Sequence, residues 1–313
     1  MAKHEKKTEG FYDYLTYPRE FIAYQWFKPL IIAAILAVFM MLGTLICYNV
    51  SLFLTGSREF ALSMARGGYD NFNVFTAAGA ILILGSMAFN LFGLYVASRI
   101  VRDRPFSSYS TSRGGWKWAL FFKVFALCLA LRGGLTLFGL AFSSNGGSGN
   151  QFTVAGAILC IILAPLQCLA EEYLFRGFIA QTVGAWFKIP VLGIIVSSAA
   201  FAAMHPYNLY GVLSMFMAGV VFSYLAWKSG GLEASSAMHI VNNAIGFGVA
   251  GLGLTKIATE VTIGSVISQT VLQVIVMALV LYIGKKFHWF EPTGDEVTPF
   301  NEATRYRLAQ KEQ

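Results

Sequence analysis

A chain of 313 residues with 56% hydrophobic and 12% charged residues, at a mean hydropathy of +0.60, carries more apolar surface than a soluble domain can hide. Long uncharged apolar stretches recur along almost its whole length and leave no room for a separate soluble domain. The formal net charge of +7 does not point to nucleic acid, because the basic residues flank those stretches.

In chain order, an N-terminal arm (1–28) comes first. Its polar tail, Met1 to Gly10, gives way to an aromatic, partly charged stretch from Phe11 to Phe27. That stretch is expected to rest at the membrane interface with Tyr and Trp at headgroup level. The first apolar run, Pro29 to about Leu54, is too long for the apolar region of a signal peptide and lacks a clear small-residue cleavage site. It opens a transmembrane domain, 29–284, with helices expected near 29–54, 74–98, 118–142, 152–175, 190–208, 209–227, 234–254 and 262–284. Pro206 and Asn208 divide the fifth from the sixth. Ser143 to Asn150 reads as a short loop and 285–313 as a polar tail. Cys47, Cys128, Cys160 and Cys168 all fall in apolar segments and read as small buried hydrophobes, with no CxxC pattern. The fold class is all-α: a polytopic membrane protein of about eight transmembrane helices, its active site in the bundle interior.

Lys and Arg orient the set. The arm holds Lys3, Lys6, Lys7, Arg19 and Lys28, and the next loop holds Arg58 and Arg66. Arg99, Arg102, Arg104, Arg113 and Lys117 follow, and then a loop with none. Lys188 and Lys228 lie after the fourth helix and before the seventh, Lys256 follows the seventh, and the tail has Lys285, Lys286, Arg305, Arg307 and Lys311. Rich and poor connections alternate, which fits an integral protein of the cell membrane with both termini cytoplasmic.

An ionisable group inside an apolar segment costs several kcal/mol and calls for a partner or a task. The densest cluster is Glu171-Glu172-Tyr173-Leu174-Phe175-Arg176. Glu172 and Arg176, four apart, share a helix face and read as an ion pair; Glu171, about 100° away, is left available. His205 lies just before Pro206, and His239 and Asn243 project from one face at four-residue spacing. A carboxylate, two imidazoles and an amide on three helices are what water activation and oxyanion stabilisation require. Each piece has a plainer reading as an ion pair or as interhelical packing, but the three together are harder to dismiss.

With Glu171-Glu172-x-x-x-Arg176, Phe201-x-x-x-His205 and His239-x-x-x-Asn243 in that order, the chain resembles the CPBP, or Abi/CAAX-protease-like, intramembrane endopeptidases, relatives of the type II CAAX prenyl endopeptidases. The matching region is about 165–245, within a family-like core of about 152–254. The resemblance implies Glu171 as the carboxylate that activates water, with His205 as its partner or as a metal ligand. It implies Glu172 and Arg176 as supports, and His239 with Asn243 as the pair stabilising the tetrahedral intermediate. Phe201 is packing beside His205. Both a metalloenzyme and a metal-free glutamate mechanism have been argued for the family. Two His and a carboxylate (Glu171, His205, His239) would suffice for one divalent metal such as zinc, yet no HExxH is present. The substrate implied is a membrane-associated protein or peptide in the lipid bilayer. Two other readings remain: a non-catalytic scaffold or immunity-type protein on the same fold, and a proton-coupled transporter, against which stands the absence of an inverted repeat.

Depth sets a condition. If the fourth helix ended at Phe175, Glu171 would lie near the surface while His205 lay roughly 22 Å deep. Extending that helix to about Trp186 levels the two and leaves His239 shallow. Lys123 and Arg132, both in the third helix, have no role in this reading; snorkelling suits Lys123, and Arg132 calls for an interhelical partner.

Overall fold

The computed structural model describes residues 12–56, 58, 73–142, 149–255 and 261–291. Eight main helices account for it: α1 (Lys28–Thr55), α2 (Ala77–Val101), α3 (Trp118–Ala141), α4 (Val154–Phe187), α5 (Pro190–Ala203), α6 (Leu209–Ser229), α7 (Leu232–Gly251) and α8 (Ile263–Lys286). No β-strand occurs among the described residues; one isolated antiparallel bridge joins Thr111 and Gly231. The all-α expectation holds, and all four cysteines are free and buried.

Local chemistry explains where the helices start. α2, α4, α6 and α8 begin behind Thr76, Thr153, Asn208 and Thr262, and each side chain accepts a hydrogen bond from a backbone N–H in the first turn. α1 and α5 instead carry Pro29 and Pro190 in the first turn, where proline loses no helical bond. The chain alternates in direction, so the capped starts gather at one end, where Phe75 accepts from Thr153 and Val261 from Asn208. At the other end, which carries most of the described Lys and Arg, the arm, the α2–α3 connection and the α6–α7 turn interlock. Tyr14 donates to the Tyr109 carbonyl, Ser112 to the carbonyls of Tyr12 and Gly230, and Trp227 to Asp13.

Six of the eight are long and apolar enough to cross a membrane: α1, α2, α3, α4, α6 and α8. The other two differ for separate reasons. α5 has 14 residues, about 21 Å of rise, short of a hydrocarbon core of about 30 Å. It ends at Ala203, whereas hydropathy carries it to 208. α7 is polar because it is interior: every residue from Leu232 to Val241 is buried, Glu233, Ser235, Ser236 and His239 among them.

Two other expectations change. α4 runs to Phe187, so the extension that the depth argument required is present. The shallow His239 is resolved at the same time. The α6–α7 turn, closed by Gly230 at φ +76°, does not reach the level of Phe187. Instead α7 starts beside Gly177, where a Cβ would lie 3.5 Å from Leu232 and 3.0 Å from the Tyr109 carbonyl, and the α2–α3 connection fills the space above. The arm does not simply rest on lipid either: Tyr14, Leu15, Tyr17 and Phe21 are buried in protein, while Ile22, Trp26 and Phe27 remain exposed. The expected loop at 143–150 lies mostly, and the tail beyond 291 and residues 1–11 wholly, outside the described residues.

Candidate active site

The site sits on the seam between two hydrophobic clusters. One is built by α3, α6, α7 and α8 and includes Phe222; the other joins the arm to α1, α2, α4, α5 and α6 and includes Phe201. The His239 ring stacks on Phe222, with centroids 4.9 Å apart, and meets Phe201 edge-on at 6.0 Å.

α4 supplies the acids. From Glu172 to Ala180 it winds as a nine-residue π-helix, a form concentrated at functional sites. Arg176 Nη1 donates to Glu172 Oε1 at 3.0 Å, the expected ion pair, and both residues are 0% exposed. The guanidinium is otherwise satisfied by the Ser223 hydroxyl at 3.3 Å, the Gly219 carbonyl at 3.3 Å and the Phe201 ring face at 4.6 Å. α6 comes close enough only because residue 219 is glycine, since a Cβ there would lie 2.9 Å from Ser198 Cα on α5.

Both carboxylates turn to one imidazole. His239 Nδ1 lies 2.9 Å from Glu172 Oε1, and Nε2 lies 3.4 Å from Glu171 Oε2. A carboxylate oxygen beside a guanidinium is an acceptor, so Nδ1–H donates to Glu172 and the ring orientation is fixed. Glu171 is 4% exposed, lies in no Arg or Lys ion pair among the described residues, and its Oε2 has no hydrogen-bond partner there. The sequence expectation that one acid is neutralised and the other left available is met.

One turn further along α7, Asn243 Nδ2 donates to Gln167 Oε1 on α4 at 3.3 Å. α4 and α7 thus run antiparallel, with Gln167·Asn243 as one rung and Glu171/Glu172·His239 as the next. Asn243 is half-buried.

His205 stands apart from this contact set. Its Nδ1 lies 2.8 Å from the Phe201 carbonyl, which only accepts, so Nδ1 carries the proton and Nε2 the lone pair. Its ring packs on Phe201 at 4.7 Å and stacks on Tyr207 at 5.9 Å. Among the described residues no hydrogen bond or ion pair joins it to Glu171; the Phe201 ring lies against both histidines instead. Tyr207, in the α5–α6 connection, has its hydroxyl raised above the usual range, by burial first and by the Glu171 charge second. Residues 203–210 are exposed apart from half-buried His205, so this connection is the open rim of a buried floor.

The structure therefore joins Glu171, Glu172, Arg176 and His239 directly, adds Asn243 a turn away, and sets His205 behind Phe201. Sequence reasoning missed Gln167, Ser223, Gly219 and Phe222. Gln167 alone left a signal, a polar side chain one turn before Glu171. As for a metal, the donor set Glu171, His205 and His239 does not close: among the described residues no three His, Cys, Asp or Glu side chains converge to hold an ion.

A family model described as type II CAAX prenyl endopeptidase Rce1-like matches residues 150–245. The chain is also similar to the uncharacterized protein YyaK of Bacillus subtilis (strain 168), 26% identical over 166 residues. That match takes in 48% of this chain and 54% of the relative, so the chain spans about half the length of the curated protein it matches. No solved structure matches. The resemblance carried by the three motifs thus holds, and the segment that contains Glu171, His205, His239 and Asn243 is the part of the chain that the Rce1-like family model matches.

Proposed function

We propose that this integral membrane protein is an endopeptidase that hydrolyses a peptide bond in a membrane-associated protein or peptide, using water activated by Glu171. The supporting observation is the asymmetry of the two acids: Glu172 Oε1 is paired with both the Arg176 guanidinium and His239, while Glu171 has no guanidinium among the described residues and its Oε2 faces only an imidazole nitrogen.

In this reading Glu171 takes a proton from water as the oxygen attacks the carbonyl carbon. His239, with Nδ1 committed to Glu172, directs Nε2 toward the reacting centre, and the second N–H of the Asn243 amide is free to donate to the developing oxyanion. The C–N bond breaks as the proton held by Glu171 passes to the departing amine. Water, substrate and two product termini balance with no other reactant. His205, its Nδ1 tied down, offers Nε2 at the rim as an acceptor for a substrate N–H. No step is routed through a metal, since three donors do not converge. The charge pattern supports both termini facing the cytoplasm of the cell membrane.

The test is cleavage of reconstituted membrane-protein substrates by the Glu171→Gln variant, which keeps the shape and removes the base. A drop of about 10²–10⁴-fold is expected. A scaffold protein would keep its cellular role in that variant, and unchanged cleavage would reject Glu171 as the base.

A further inference from the structure

Arg132 is absorbed by none of this. It sits in a π-helical stretch of α3, Leu129–Gly133, in a helix otherwise apolar there. Its Nη2 donates to Gln269 Oε1 on α8 at 3.1 Å, while its Nε is buried with no partner. Gln269 is neutral, and among the described residues no carboxylate lies within ion-pair distance of the guanidinium. A cation held in an apolar span without a counter-charge is costly, and such residues line substrate paths.

The surroundings leave room for a ligand. From Leu129 to Ala141, α3 buries none of its residues. α7 changes character at the same level. Below Val241 it is wholly enclosed, whereas residues 242–249 are half-buried or exposed, and a Cβ added at Gly246 or Gly248 would meet nothing within 4 Å. Ile245 lies 4.0 Å from where a Cβ on Gly133 would be, and it is two residues from Asn243. The unpaired guanidinium is therefore fixed beside the uncovered half of the helix that carries the amide, within about a helical turn of it.

We propose that the substrate chain reaches the site from the side, between α3 and α8, and that Arg132 binds a carboxylate on that chain. This rests on the endopeptidase reading for what the ligand is, but its test does not depend on cleavage. Carboxylate is favoured over a lipid phosphate by position. Arg132 lies nine residues before the end of α3, about 13 Å from the nearer end, so a headgroup would have to sink to reach it. The planar fork suits a carboxylate held by two parallel bonds.

The experiment measures binding of labelled apolar peptides to the full chain carrying Glu171→Gln, in lipid nanodiscs. Four peptides share one sequence: one with a free C-terminal carboxylate, its C-terminal amide, and amidated versions with an internal Glu or Gln. At least one acid form is expected to bind about tenfold tighter than its neutral counterpart. Comparing the two acid–neutral pairs tells a terminal from a side-chain carboxylate. Arg132→Gln should erase the difference, and Arg132→Lys should keep only part of it. Gln269→Leu, which leaves the cation in place, should preserve or widen it. Equal binding of acid and neutral forms, or a preference that survives Arg132→Gln, overturns the assignment. So does a preference seen in zwitterionic discs that vanishes when phosphatidylglycerol is added, because Arg132 then belongs to lipid. Carboxylate selectivity without cleavage by the native chain would sink the endopeptidase reading alone, and cleavage without selectivity would sink this one alone.

Discussion

Two buried acids on neighbouring elements, Glu233 and Glu171, show how one side-chain chemistry is put to different ends. Glu233 opens α7. Its Oε2 takes Arg113 Nη2 at 2.6 Å and its Oε1 takes the backbone N–H of Lys117 at 3.0 Å, with both side chains of the ion pair 0% exposed. Glu171, which adjoins Glu172 in sequence, has no arginine partner among the described residues and leaves Oε2 with only the imidazole at 3.4 Å. A carboxylate whose acceptors are all engaged holds a helix start in place. One with an idle oxygen, buried near the open rim, has a proton-accepting capacity that the fold does not use. The difference lies in satisfaction rather than depth, since both are buried.

The largest expected effect tests the idle acid. Glu171→Gln should lower cleavage by about 10²–10⁴-fold while the unfolding midpoint in detergent stays near that of the native chain. Glu233→Gln should do the reverse, lowering the midpoint while each folded molecule keeps its rate. If the two variants behaved alike in both measurements, the contrast would be wrong.

Arg113→Ala comes next. It strands Glu233 as a buried uncompensated charge, so about 3–5 kcal/mol of stability should be lost in an equilibrium unfolding measurement. Removing both partners with apolar residues of similar volume should recover most of that loss, because the penalty comes from the orphaned charge and not from the missing bond. Failure of the double replacement to recover would mean the pair contributes more than neutralisation at the α7 start.

Asn243→Ala probes the proposed oxyanion donor. Loss of one such donor lowers kcat by about 10²–10³-fold in established cases, and the same is expected here with KM little changed. A rise in KM at constant kcat would place Asn243 in ground-state binding.

Within-helix spacing made the working parts legible. Glu172 with Arg176, and His239 with Asn243, are four apart, so a helix alone puts each pair on one face, while the helices themselves were marked by long apolar runs. Partners far apart in sequence had no such signal. Arg113 lies 120 positions from Glu233, and the Tyr109 carbonyl that holds Tyr14 lies 95 from it. Lys123 was legible as a cation in an apolar helix, but not that its ammonium would stand 5.5 Å from the Trp289 ring. The π-helical winding after Glu171 and the inset α6–α7 turn depend on how α4 packs against Tyr109 and Leu232, which no local pattern encodes.

The smallest effect is the most discriminating. Gln167→Leu removes the acceptor of Asn243 and leaves the amide itself in place. Interhelical polar bonds in membrane proteins average about 0.6 kcal/mol and reach about 1.7, so this variant and Asn243→Ala should each lower stability by about that amount. Their activities should part: with the donor still present but less well aimed, Gln167→Leu should lose several-fold in rate, far less than Asn243→Ala. Equal losses of rate and stability in the two variants would make the amide a packing contact between α4 and α7. A wide gap in rate at matched stability is the outcome that only a donor to the reacting oxygen produces, because packing glue has no means of sensing which of its two ends was removed.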